Sequence, residues 1–218
     1  MGRALARFTG RLEPACLKCL LTLFCDLGMA RRALTWLALL GACGSLAARP
    51  EDNALFEAVN KDDMGLIKAA LEAGANIDVQ GPGGQSPLMH AVLGGKLAAV
   101  KFLLKRGADA SIPEKDGYTP MHGAGFQGRA QIAKLLIEHG LDPRGTPHDD
   151  GFQPIHRAVW GGEQRHTDTV KVLLDAGVHV DEPAKNGQRP IEMVRANQGT
   201  RRLLLMEAKL KHGDAGDL

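Results

Sequence analysis

The chain has 218 residues, a net charge of +2, and 44% hydrophobic and 24% charged residues, enough for one globular domain with additions. The charge is unevenly spread: residues 1–48 carry six Lys/Arg against two acids, which leaves the rest at −2, and a mildly acidic body offers no field for a phosphate backbone. All four cysteines (Cys16, Cys19, Cys25 and Cys43) precede residue 48, so the body has neither a disulfide framework nor a thiol nucleophile.

The first segment, residues 1–48, reads as a targeting leader. From Met29 the sequence runs MARRALTWLALLGACGSLAARP, with two arginines, an apolar stretch and then small residues. This is the layout of a secretory signal peptide cleaved near Ala47 or Ala48. Its apolar run of about 16 residues falls short of the ~20 of a spanning helix. Residues 1–28 are Arg-rich with a second apolar run, which keeps other readings open. Translation could start at Met29, the segment could direct the chain to an organelle, or LGAC could be a lipoprotein box acylated at Cys43. A retained segment would make the protein membrane-anchored. The pair in CLKC has the spacing of half a zinc site but lacks a second pair.

From Asn53 the punctuation is periodic. Pro87, Pro120, Pro154 and Pro190 are spaced by 33, 34 and 36 residues, and Gly74, Gly107, Gly140 and Gly177 by 33, 33 and 37. Units fall at about 53–82, 83–115, 116–149, 150–185 and 186–210. In the third and fourth, DGYTPMHGAGF and DGFQPIHRAVW open the unit, and GGQSPLMHAVL is a fainter version in the second. Gly117 and Gly151 suit a tight turn with positive φ. Pro120 and Pro154 then fit the first turn of a helix, where no N–H is needed. Thr119 is placed to cap that helix, and His122 can reach back to brace the turn. Ala124 and Ala158 are small enough for neighbouring helices to approach. A second helix follows in each unit, with apolar faces at Val100/Leu103/Leu104, Ile132/Leu135/Leu136 and Val170/Leu173/Leu174. A glycine such as Gly140 ends it in the left-handed conformation.

A period near 33 with a head close to T-P-L-H-x-A and a late GAD-like tail (EAGANID, KRGADAS, EHGLDPR, DAGVHVD) resembles the ankyrin-repeat family over roughly residues 53–210. The resemblance implies an all-α solenoid of about five helix-turn-helix units with short β-turn finger loops. One unit cannot bury its apolar face alone; stacking does so. The first unit lacks the head and carries Glu57, Lys61, Asp62 and Asp63, as an N-terminal cap would. The last replaces the histidine by Glu192 and reads as the C-terminal cap, leaving 211–218 as a tail. In the fourth unit GEQRHTDT makes the segment between Gly162 and Val170 three residues longer than in the second and third. It is wholly polar and is expected to bulge between the two helices, as slack in the packing or as a partner contact.

No residue constellation here carries reaction chemistry. There is no nucleophile elbow, phosphate loop or dinucleotide fingerprint, and no histidine pair stands at a metal-ligand spacing. His90 and His166 are read as solvated, so neither a catalytic residue, a cofactor nor a metal is expected. The aromatics are more informative. Phe56 and Phe102 fall on helix faces that stacking should bury. Tyr118 and Phe152 follow the turn glycines, and Phe126 and Trp160 stand eight residues further on. In ankyrin repeats these are finger-loop and concave-face positions, so the resemblance implies one contiguous four-ring patch that contacts a partner. Lys115, Asp116, Gln127, Arg129 and Asp150 would form its polar rim. The competing thought is that Phe126 and Phe152 partly shield the seam between units. The function expected is non-catalytic recognition of a protein or peptide, as a monomer or in a hetero-complex. Two alternatives are a constitutive subunit or scaffold, and an enzyme or metal site near 163–169.

Overall fold

The computed structural model describes residues 49–145, 148 and 150–213. The expectations for the leader, its cleavage, Cys43 and the last five residues lie outside them. Among the described residues there are ten α-helices, one 3-10 turn at Pro82–Gly84 and no strand. The helices come as five successive pairs: α1 (Pro50–Lys61) with α2 (Met64–Glu72), α3 (Pro87–Gly94) with α4 (Leu97–Lys105), α5 (Pro120–Gln127) with α6 (Ala130–Glu138), α7 (Pro154–Val159) with α8 (Gln164–Asp175), and α9 (Pro190–Met193) with α10 (Gln198–Gly213). Each helix packs on its own partner and on its counterparts in adjoining pairs. The chain thus builds two rows, α1-α3-α5-α7-α9 and α2-α4-α6-α8-α10.

The local signals act as their chemistry dictates. A proline opens every helix of the first row, where its missing N–H costs nothing and its φ is preset. The second-row helices α4 and α6 end before Gly107 (φ 87°) and Gly140 (φ 92°). Just beyond, Ala108 N–H bonds to Leu103 O and Leu141 N–H to Leu136 O, at 3.0 and 3.2 Å, which satisfies carbonyls the helix leaves open. Ser86 caps α3 by accepting from Met89 N–H at 3.1 Å, and Asp63 caps α2 through Gly65 and Leu66 N–H. Thr119 occupies the N-cap position of α5, but its hydroxyl does not cap the helix; it is committed to His122 instead.

One continuous core runs the length of the stack. Leu55, Leu88, Met121 and Ile155 of the first row and Ile67, Leu103, Leu136 and Leu173 of the second are almost wholly inaccessible to water. Burying each such side chain contributes about 1.5–3 kcal/mol. Ala124 and Ala158 are fully buried where the first-row helices meet, but Gly125 sets how closely they meet. A Cβ on Gly125 would lie 2.4 Å from the carbonyl oxygen of Pro154, so the α5 and α7 backbones are in contact there.

The fourth pair corrects two expectations. The polar insertion does not bulge; it is wound into the start of α8, which has 12 residues against nine in α4 and α6. His166, Thr167 and Thr169 are buried rather than solvated; both threonine hydroxyls and one ring nitrogen of His166 find partners within the stack. Thr167 Oγ1 meets Thr200 Oγ1 at 2.8 Å and donates to Asn197 Oδ1 at 3.2 Å, while Thr169 Oγ1 donates to Arg165 O at 2.8 Å. His166 Nε2 lies 3.3 Å from Phe126 O, tying the extension to the preceding pair. At the far end α10 runs through Gly213, three residues into the stretch expected as tail.

Candidate functional site

The loops that lead into α3, α5, α7 and α9 each carry a tight turn, closed by bonds such as Gly117 N–H to Glu114 O at 2.8 Å and Glu114 N–H to Tyr118 O at 2.9 Å. Each turn is followed by one residue at the corresponding place in its unit, 85, 118, 152 or 188. Histidines fix the two central ones. His122 Nδ1 accepts from Thr119 Oγ1 at 2.8 Å, the expected brace. Its Nε2 donates to Phe152 O, one unit away, at 3.2 Å. His156 repeats the arrangement, accepting from Gln153 N–H at 3.2 Å and donating to Glu182 O at 3.0 Å. The Gln153 N–H requires a neutral His156 with the proton on Nε2, and the contacts of His122 suit the same form. Burial pushes His122 down to about 4 and lowers His156 as well. The brace was legible in the sequence; the link to the next unit was not.

Three of the four expected rings converge, and a cation the sequence reading passed over draws them together. The Arg157 guanidinium carbon lies 4.5 Å from the Tyr118 ring centre, 4.6 Å from Trp160 and 5.2 Å from Phe152. Phe152 and Trp160 meet edge to face at 5.3 Å, and His148 stacks on the other side of Tyr118 at 4.0 Å. Asp150 closes the cluster. It accepts from Tyr118 Oη at 3.0 Å and from Phe152 N–H at 2.9 Å, and pairs with Arg157. Burial is the largest single influence on Asp150 and raises it; the bonds from Phe152, His148 and Tyr118 with the Arg157 charge outweigh burial and hold the carboxyl below its usual range. Burial, then Asp150, pushes the Tyr118 phenol up. A desolvated cation over aromatic faces contributes up to about 2 kcal/mol, so this cluster is a clasp between the third and fourth pairs as well as a surface.

Phe126 behaves differently. It is 55% exposed and forms one wall of an open cavity of about 200 Å³. Tyr118, Gly123 and Arg157 also line it, and Met89 and Leu93 contribute from α3. A Cβ on Gly123 would meet Leu93 and Met89 at 3.2 Å, so the missing side chain is what keeps the cavity open. The four aromatics thus lie on one side of the stack, three of them half-buried and clasped, the fourth presented to solvent.

The remaining expected residues divide. Lys115 and Asp116 are exposed and Gln127 partly so. Lys115 N–H bonds to Gly83 O at 3.0 Å, which sets the turn of one pair against that of the previous one. Two residues do not serve as a free rim. Asp150 is consumed by the clasp. Arg129 folds back over Gly95 and donates to Leu93 O at 3.3 Å. Phe56 and Phe102 are half-buried rather than core: Phe56 meets His90 edge to face at 5.9 Å, and the Arg106 guanidinium lies 5.0 Å over Phe102. His90 is partly buried too, with Nε2 2.6 Å from Asn60 Oδ1. Among the described residues, no group of three or more His, Cys, Asp or Glu is placed to hold a metal ion.

Two rows of short helices, the first row opened by Pro, joined by tight turns and with an aromatic-lined cavity on one side, define a helical repeat protein. The family model for ankyrin repeats (3 copies) matches over residues 13–114, 55–147 and 95–184, and the chain belongs to that family. No curated protein matches it. Ankyrin repeats in general are protein–protein interaction modules, and the family is typically non-catalytic.

Proposed function

We propose that the chain is a five-unit ankyrin array whose turns act as fingers, and that it binds a protein or peptide segment through the surface holding Phe126, Tyr118 and the Arg157 clasp. The cavity between Phe126, Leu93 and Tyr118 carries this reading. At about 200 Å³ it is smaller than the ~300–1,000 Å³ of small-molecule and cofactor sites. It suits one large apolar side chain of a partner, docked against a preformed wall. Binding there would cover Phe126, the most exposed ring of the four, and ring anchors of this kind dominate interface energetics. Lys115, Asp116 and Gln127 supply the polar margin. The basic, apolar and small-residue layout of 29–48 assigns the module to the secretory pathway, with cleavage near Ala47 or Ala48; N-terminal sequencing of the mature protein tests this.

Affinity capture with wild-type, Phe126→Ala and Gly123→Leu baits tests the recognition surface. Phe126→Ala removes the wall and Gly123→Leu fills the cavity. Proteins held by wild type and lost from both variants are the expected outcome. A bound set identical for all three baits refutes the proposed surface.

A further inference from the structure

Six large apolar residues are exposed among the described residues, and three of them stand on one helix: Leu205 (48%), Met206 (63%) and Leu210 (66%) of α10. α10 is moored on its inner side by buried Leu204 and by Thr200, which is paired with Thr167 and Asn197. Its outer side is both apolar and cationic. Arg201, Arg202 and Lys209 are exposed there, Lys211 is exposed on the opposite flank, and the single acid of the helix, Glu207, is half-buried. Arg201 reaches the carbonyl of Val194. Among the described residues, no carboxylate pairs with Arg202, Lys209 or Lys211. With about 100° between successive side chains, the order around the outer half is Arg201, Leu205, Lys209, Arg202, Met206, Leu210.

A terminal repeat needs a polar outer face to close the stack, and half of this one is apolar. Three occupants could cover the ridge. A second copy would set Arg202 and Lys209 against the same cations. A protein groove grips a helix along one apolar line, whereas here Leu205 and Met206/Leu210 lie on opposite flanks of two cations. An anionic bilayer fits both features. Apolar tips on either flank enter the acyl boundary while the long cationic side chains bend to the phosphates. Among the described residues no helix is long and apolar enough to cross a membrane, so the contact is interfacial.

We propose that α10 is a peripheral membrane-binding element that lays Leu205, Met206 and Leu210 into a bilayer surface rich in anionic phospholipid, with Arg201, Arg202 and Lys209 on the headgroups. It requires neither the leader nor the cavity beside Phe126. Each cation near such a surface strengthens partitioning about fivefold.

Co-sedimentation of the full chain with vesicles tests it, using phosphatidylcholine alone against vesicles with about a third phosphatidylserine. The expected result is retention on the anionic vesicles that weakens as salt is raised. Arg202→Glu with Lys209→Glu should cut it about tenfold or more. Met206→Gln with Leu210→Gln should also cut it, while leaving the salt dependence in place. These side chains are exposed, so helical circular dichroism and melting should not change. Equal partitioning of wild type and both variants assigns the binding to another part of the chain and overturns the proposal. So does wild type that ignores anionic vesicles; if it then binds poly-glutamate, the ridge docks an acidic protein surface instead.

Discussion

The segments 116–126 and 150–160 share a template and end in opposite states. Each has an aspartate, a turn glycine, an aromatic, a helix-opening proline, a bracing histidine, an alanine, and an aromatic eight residues after the first. Yet Phe126 is open to water, while Trp160 is half-buried against Phe152. Two substitutions within the template set the segments apart, and the first accounts for the difference. Where the fourth unit has Arg157, the third has Gly123; where the fourth has Val159, the third has Gly125. Arg157 gathers the rings around it, whereas Gly123 leaves a cavity and Phe126 at its edge. The same scaffold therefore makes a closed clasp or an open pocket according to one inner-helix position.

The largest effect on this comparison should come from giving the third unit the fourth unit's valine. Gly125→Val drives its side chain into the backbone of Pro154, which no rotamer change can relieve. A loss of about 3 kcal/mol is expected, read as a fall in the urea midpoint. Stability unchanged within about 0.5 kcal/mol would mean that α5 and α7 do not touch there.

Acid comes next. In the unfolded chain His122 titrates near its ordinary value of 6.5, but in the folded chain only near 4. Between those values the unfolded state binds the proton and the folded state does not, so stability falls as pH falls. The contribution is complete above 6.5, is lost progressively on acidification, and does not change further below about 4. The shift corresponds to a loss on the order of 3 kcal/mol, and His156 acts in the same direction. His122→Gln should be less stable at neutral pH and show a flatter dependence across that window. An equal slope in both proteins would contradict the buried neutral ring.

The clasp itself is the third lever. Arg157→Lys keeps a charge for Asp150 but loses the planar group that lies against three rings. We expect about 1–2 kcal/mol of destabilisation and a red shift in the fluorescence of Trp160 as its indole becomes wetter. No spectral change would show that Trp160 is held without the guanidinium.

What the sequence disclosed and what it concealed divide along physical lines. The helix-opening prolines, the terminal glycines and the Thr119–His122 brace act within a few residues, so their types and spacing reveal them. The clasp joins Tyr118 to Arg157, 39 positions apart, and depends on how one pair sits on the next. An arginine beside a buried alanine carries no local mark of that role. The insertion misled for a related reason. Thr167 and Thr169 look like solvent-facing loop residues, but Thr200 and Asn197 of the next pair partner the first and the Arg165 carbonyl of α8 the second, which makes their burial inexpensive. Polarity alone says what a side chain needs, not whether water or protein provides it.

The smallest effect on stability should come from Phe126, and it separates the two halves of the template most sharply. Phe126→Ala removes a ring that is already largely in water, so the urea midpoint should move by no more than about 0.5 kcal/mol. Trp160→Ala removes a ring packed on Phe152 and covered by Arg157, and should cost about 2 kcal/mol or more. Binding should reverse the ranking. A partner side chain seated in the cavity buries Phe126 directly, and truncating such an anchor costs about 2 kcal/mol or more in affinity, whereas Trp160 acts only by holding Tyr118 and Arg157 in place. Calorimetric titration of both variants with a captured partner decides this. If Phe126→Ala binds as wild type does, the exposed ring is not the anchor and the pocket is an unused by-product of Gly123.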